Sequence, residues 1–312
     1  MPISSQNALL PVLPVGTQIV TLVEAYGSNR AFVRPRGTVG VILHAPDDPS
    51  QPYTVRFLDG GEALLKREEI EPRKQFQRDG LGPDEAAQDD LFQYVIYRCV
   101  VGSRAYGLDD SASDTDRRGI YLPPARLHWS LYGVPDQIER PETEEAYWEI
   151  QKFLILALKA NPNVLECLYT PLVEEADPLA LELREMRDVF LSRLVYQTYN
   201  GYVLSQFKKL EGVLRNRGAI KWKHAMHLIR LLLSGVRTLN EGIIPVRVDD
   251  AHRDRLLDIK RGDLAWEEVN RWRLELHAAF DDAFAHTSLP ERPDVRLAND
   301  FLLRARRTRV ED

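Results

Sequence analysis

The chain has 312 residues, 44% hydrophobic and 28% charged, with 41 Lys and Arg against 47 Asp and Glu for a net charge of -6. This balance excludes a largely disordered chain, and no apolar run reaches the ~20 residues that a membrane-spanning helix needs. The length suits roughly two domains at about 150 residues each.

The first 23 residues carry no charge. Pro2, Pro11 and Pro14 interrupt them and no basic stretch precedes the apolar part, so a signal peptide is not expected and a cytoplasmic protein is. Residues 15 to 72 read as short strands, Thr17 to Leu22, Gly40 to His44, Tyr53 to Leu58 and Ala63 to Lys66, separated by Gly37, Pro46, Pro49 and Asp59-Gly60-Gly61. Such close spacing predicts a small SH3-like β-barrel, with Asp59-Gly60 as its clearest hairpin signal. Residues 73 to 88 are rich in charge, Gly and Pro and read as a linker. Tyr94 to Val101 is β-branched and nearly all apolar, the pattern of a strand buried on both faces. It ends at Gly102-Ser103, and after an acidic stretch a second strand follows at Gly119 to Leu122. Helices are expected around Phe153 to Leu158 and after Asn161-Pro162. Residues 89 to 175 therefore form the expected core, and 176 to 312 a helical domain. Cys99 and Cys167 lie in apolar segments, as core thiols do.

The segment that carries chemistry is Val100 to Leu122. Two carboxylates at Asp114 and Asp116 would share one face of a strand, where they repel unless a hard cation lies between them. Mg2+ prefers carboxylate oxygens, waters and phosphates, and Mn2+ suits the same donors. Gly102 permits close backbone approach to a phosphate, and Ser103 adds a hydroxyl where a helix start supplies amides. These are parts of a metal-assisted phosphoryl or nucleotidyl transfer site. There is no Gly-x-x-x-x-Gly-Lys-Ser/Thr loop, Gly-x-Gly-x-x-Gly turn, Gly-x-Ser-x-Gly elbow or His-Glu-x-x-His helix.

Gly102-Ser103-Arg104-Ala105-Tyr106-Gly107, followed by Ser113-Asp114-Thr115-Asp116-Arg117-Arg118-Gly119, resembles the signature of the DNA polymerase β-like nucleotidyltransferase superfamily. Within it the chain is similar to the predicted nucleotidyltransferases of the RNA-repair-pathway polymerase β family. Further blocks carry the resemblance: Lys152-Phe153, Asn161-Pro162-Asn163-Val164-Leu165-Glu166, Lys221 through Leu233, and Ile259-Lys260-Arg261-Gly262. It covers roughly residues 90 to 275 and leaves the N-terminal barrel outside.

The resemblance implies an α+β fold, with a mixed-sheet core and a C-terminal helical domain over the substrate. It also implies transfer of a nucleoside monophosphate from an NTP to an acceptor hydroxyl, plausibly an RNA end. Asp114 and Asp116 would hold Mg2+ or Mn2+, and a third carboxylate would act as general base. Counting back from Lys152-Phe153 selects Glu144 over Glu145 and Glu149. Gly102, Ser103, Arg104 and Lys152 are the nucleotide-binding candidates.

Arg117 or Arg118 could neutralise transition-state charge. Lys221, Lys223, His224, His227 and Arg230 are phosphate, base or substrate candidates. They belong to a basic stretch, Gly201 to Arg237, that holds eight Lys and Arg against the single acid Glu211. Two other readings stay open: a retired fold that binds nucleotide or a protein partner, and a transferase acting on a protein or small molecule.

Overall fold

A computed structural model of the chain describes residues 12–27, 32–46, 51–79, 91–111, 113–217 and 220–310, without the side chains of 216 and 217. The chain divides into two units, Met1–Gly82 and Pro83–Asp312.

The first unit contains β1 (Gln18–Thr21), β2 (Ala25–Tyr26), β3 (Val33–Arg34), β4 (Val39–His44), β5 (Tyr53–Phe57), β6 (Glu62–Leu65), β7 (Ile70–Pro72) and helix α1 (Arg73–Asp79). Tyr53, Val55 and Phe57 alternate inward along β5 and meet Ile19, Ile42 and Leu65 in a small core. The Asp59-Gly60-Gly61 turn joins β5 to β6 as the sequence predicts, with Gly60 at φ +85 and Asp59 Oδ1 accepting from the Gly61 amide at 3.2 Å. The five-stranded sheet has the order β6-β5-β4-β1-β7, and no closed barrel forms among the described residues. Edge strand β6 instead carries a bridge from Ala63 to Gly27, at the end of the separate β2–β3 hairpin. The first residues of the expected linker form α1, whose Arg73 Nη1 donates to Gln18 Oε1 at 3.1 Å; positions 80–90 lie outside the described residues.

The second unit is built on a mixed sheet. Its strands are β8 (Val95–Val101), β9 (Asp116–Tyr121), β10 (Gln137–Arg140), β11 (Glu145–Glu149) and β12 (Val173–Ala176), in the order β10-β11-β9-β8-β12. Strand β9 runs parallel to β11 and antiparallel to β8. Seven of the eight residues from Tyr94 to Val101 thus form the buried strand that their composition predicts, and Tyr94 ends the turn before it. Period two separates the two faces of β9: Ile120 enters the large core, while Tyr121 joins Val95 and Tyr147 in a smaller one behind the sheet.

Helices α2 (Gly102–Tyr106), α3 (Ala125–His128), α4 (Ile150–Leu158), α5 (Pro162–Tyr169), α6 (Pro178–Glu185), α7 (Leu194–Arg217), α8 (Trp222–Glu241), α9 (Asp250–Arg261), α10 (Trp266–His286) and α11 (Val295–Arg307) complete the unit. Local signals set their ends. Asn161 Oδ1 caps α5 by accepting from the Asn163 amide at 3.1 Å, with Pro162 at the first helical position. Gly242 and Gly262 close α8 and α9 in left-handed geometry, which glycine adopts without a Cβ penalty. One apolar cluster runs from Ile96 on β8 to Ala305 on α11, so sheet and helices share a core. Cys99 and Cys167 are buried free thiols within it. Among the described residues no helix is long and apolar enough to cross a membrane.

Candidate active site

Strand β8 delivers the chain to Gly102, which takes a left-handed φ of +70 at the start of α2. The β8–β9 ladder pairs Val101 with Asp116, so the Asp116 carboxylate lies directly against Gly102. A Cβ built on Gly102 would meet Asp116 Oδ2 and push that carboxylate aside, and the left-handed φ itself favours glycine here. Ser103 is half-buried beside it. Helix α2 ends after one turn at Gly107, also at φ +70.

The acidic loop then returns to β9. Arg104 holds it by donating from Nη2 to the Ser113 carbonyl at 2.7 Å and from Nε to the Asp114 carbonyl at 3.3 Å. Its donors thus serve the loop backbone. Strand β9 begins at Asp116, so Asp114 precedes the ladder and is exposed. The expectation that both aspartates share one strand face therefore needs correction: period two governs Asp116 only, and the loop positions Asp114.

The arginine pair divides between the two faces of the sheet. Arg118 shares the face of Asp116, with Nη2 at 3.4 Å from Asp116 Oδ1 and Nη1 donating to the Glu144 carbonyl at 2.7 Å. Arg117 points the other way and pairs with Glu174 Oε2 on β12 at 2.8 Å. Of the three candidate glutamates, Glu144 stands just before β11 with φ +53 and an exposed side chain, and its carbonyl accepts the Arg117 amide at 3.0 Å. The parallel register pairs Glu145 with Arg117, which brings the backbone of Glu144 level with Asp116. Glu149 is buried at the far end of β11, capping α4.

Lys152 also lies at that far end, where Nζ bonds Asp136 Oδ2 at 2.8 Å. Five steps of strand, about 16 Å, separate the Asp116 end from the Tyr121–Glu149 end that Lys152 follows. The structure therefore brings Gly102, Ser103, Arg104, Asp114, Asp116, Arg118 and the Glu144 backbone together, and places Lys152 and Arg117 apart from them.

The helical part contacts α2 and its loop through residues to which the sequence assigns no role. Lys260 Nζ on α9 donates to the Leu108 carbonyl at 3.0 Å and to Asp110 Oδ2 at 2.7 Å, and Arg253 Nε donates to the Gly107 carbonyl at 3.0 Å. Lys260 stands in the Ile259-Lys260-Arg261-Gly262 block, but only the fold shows what it reaches. Arg230 is buried on α8 with Nη2 at 2.8 Å from Glu166 Oε1, while Tyr106 Oη donates to Glu166 Oε2 at 2.6 Å. The guanidinium also stacks over the Tyr106 ring at 3.6 Å.

Burial opposes the Arg230 charge, yet Glu166 and Tyr106 more than offset it and hold its pKa above the usual arginine value. Burial, reinforced by Glu166, drives the Tyr106 hydroxyl well up and keeps it a neutral donor. This triad fastens α2 to α5 and α8. His227, edge-on to Tyr106, is lowered to about 4 by burial, with the cations Arg230, Lys223 and Lys260 adding to the effect. Lys221 and Lys223 are exposed at the start of α8, and His224 is lowered by burial and by Lys221 and Lys209.

Two carboxylates, one hydroxyl and a glycine backbone are oxygen-rich, hard donors, which suits Mg2+ or Mn2+. The cradle at Gly102 leaves the Asp116 carboxylate unshielded by any Cβ. Among the described residues no group of three His, Cys, Asp or Glu side chains converges as a ready metal cage.

The chain is 37% identical over 97 residues to "Uncharacterized protein YcgL" of Bacillus subtilis (strain 168). That stretch covers 30% of this chain and 37% of the relative, so the likeness spans little over a third of the other protein. The match to a family model is broader, running over residues 69–304, about three quarters of the chain, and it takes in the Gly102 turn, the Asp116 strand and the helices that hold them. By that match the chain belongs to the RNA repair pathway DNA polymerase beta family.

Proposed function

We propose that the protein transfers a nucleoside monophosphate from an NTP to an acceptor hydroxyl, with an RNA end as acceptor. The observation that carries this reading is the contact of Gly102 with the Asp116 carboxylate, which sets a phosphate-accepting turn against a metal-binding group. The acceptor oxygen bonds to the α-phosphorus, the bond to the bridging α–β oxygen breaks, and pyrophosphate leaves with that electron pair. Asp114 and Asp116 would hold Mg2+ or Mn2+, which when bound would supply positive charge to acidify the acceptor hydroxyl and offset that on the pyrophosphate.

The chain's own groups do the rest. Gly102 and Ser103 receive the β and γ phosphates, and Arg104 keeps the aspartate loop closed over α2. Arg118 offsets negative charge beside Asp116. Glu144 takes the acceptor proton; the register of β11 with β9 supports it over Glu145, whose strand position faces Arg117, and over the buried Glu149. The N-terminal sheet is read as an SH3-like module left open at its edge, a scaffold that suits a peptide or nucleic-acid strand.

The test is label transfer from each α-labelled NTP, with Mg2+ or Mn2+, to short RNAs and to total cellular protein. Asp114→Asn/Asp116→Asn is expected to abolish transfer. Gly102→Ala is expected to lower it at least ~100-fold, since displacing a charge-stabilising group costs on that order. Label on protein alone would replace the RNA acceptor. Absence of both transfer and metal-dependent NTP binding would sink the enzyme in favour of a retired binding module.

A further inference from the structure

Helix α8 carries Arg230, Ser234 and Arg237 on one face at helical spacing, opposite the segment Pro245–Asp249 and the start of α9. Between them is a cavity of about 30 Å3 that opens to solvent and is also lined by Arg247 and His252. It holds buried donors without acceptors. Ser234 is 3% exposed and Arg230 7% exposed, yet Ser234 Oγ and Arg230 Nε and Nη1 have no hydrogen-bond partner among the described residues. Such groups cost ~1–3 kcal/mol each when left unpaired, so a native structure keeps them for an ion, a water or a ligand.

The charges define the class of ligand. The acids at the rim are already engaged: Asp249 Oδ1 accepts from the His252 amide at 3.0 Å and meets its Nδ1 at 2.7 Å, while Glu241 takes Arg237 Nε at 2.8 Å. Arg247 is exposed and forms no ion pair or hydrogen bond among the described residues. Three guanidinium groups and a hydroxyl around a small opening match an oxyanion. At ~10–15 Å3 per oxygen-sized atom, two oxygens can enter while esterified oxygens remain at the mouth. Arg247 also packs on Gly107, the opposite end of α2 from Gly102, about 7.5 Å along the helix.

We propose that this pocket binds one phosphate group, a monoester or diester of the acceptor strand, apart from the NTP site at Gly102. Phosphate binding stands on the pocket alone; its assignment to the acceptor rests on the transfer reading above. The probe is inorganic phosphate without divalent metal, followed through the amide resonances of Val248, Asp249 and His252. Saturable shifts there are expected, weakened roughly tenfold by Arg247→Ala, as loss of one charged contact predicts. Arg247 is exposed, so the variant should keep the wild-type melting temperature. A 5′-phosphorylated dinucleotide should displace the phosphate, and a nucleoside, which carries no phosphate at all, should not.

The shifts should persist in Asp114→Asn/Asp116→Asn, so the pocket and the transfer reaction fail or stand separately. Shifts confined to Gly102 and Ser103, or an Arg247→Ala protein with unchanged affinity, would overturn the pocket. Displacement by NTP and not by the dinucleotide would overturn its assignment to the acceptor.

Discussion

At Gly102 the left-handed φ of +70 favours glycine, and a Cβ there would displace the carboxylate of Asp116 that lies against it. Buried His227 shows how neighbouring charges act on a single group. Its folded-state pKa of about 4 lies below the ordinary histidine value, so the unfolded chain binds the proton more tightly. Stability contributed by neutral His227 is complete above pH ~6.5 and is lost as pH falls towards about 4, by up to ~3 kcal/mol. His128, His224 and His277 are also lowered by burial, so the wild-type acid limb is a composite. The isolating measurement is urea unfolding of wild type and His227→Gln at pH 7 and pH 5. The variant should lose less stability between the two pH values, and equal losses would refute the assignment. The sequence marks His227 as a candidate for phosphate or base contact on a basic helix, not as a buried group. The cations beside it come from α8 and α9, and no local pattern encodes that convergence.

At the level of elements, apolar runs and caps foretell more. The strand ending at Val101, the turn at Asp59-Gly60-Gly61 and the break at Asn161-Pro162 follow from local sequence, because each depends on nearest-neighbour sterics or a side-chain cap. Helix α1 and the engagement of α11 do not. Arg306 on α11 reaches Glu149 Oε1 at 2.5 Å, while Oε2 of that carboxylate accepts the Gln151 amide at 2.9 Å as the cap of α4. Burial raises the Glu149 pKa, and Arg306 with the two capping amides opposes that rise. Removing the cation leaves a buried carboxylate whose charge is unpaired. Arg306→Ala should therefore cost about 3–5 kcal/mol in denaturant unfolding. Arg306→Ala/Glu149→Gln should recover part of that loss, and no recovery would mean that packing of α11 dominates. A tail rich in arginine reads as a solvated surface until the fold shows Arg306 half-buried.

At the scale of the molecule, all five tryptophans, Trp129, Trp148, Trp222, Trp266 and Trp272, lie in Pro83–Asp312, and none lies in Met1–Gly82. Tryptophan fluorescence therefore reports one unit, whereas far-ultraviolet circular dichroism reports both. The two probes should give non-coincident unfolding transitions, because the units have separate cores. Coincident curves would mean that the units unfold as one.

Sequence alone was sufficient for the family, the buried strand before Gly102 and the helical character of the C-terminal part. Each of these is written in contiguous residues whose steric and hydrophobic preferences act locally. Three-dimensional packing alone began β9 at Asp116 and not before Asp114, moved Lys152 to the far end of the sheet, left the N-terminal sheet unclosed among the described residues and assembled Arg230, Ser234 and Arg247 around one cavity. Those outcomes depend on strand register and helix contacts between residues up to about 150 positions apart, as with Lys260 and Asp110, and such distant pairings leave no periodicity in the chain.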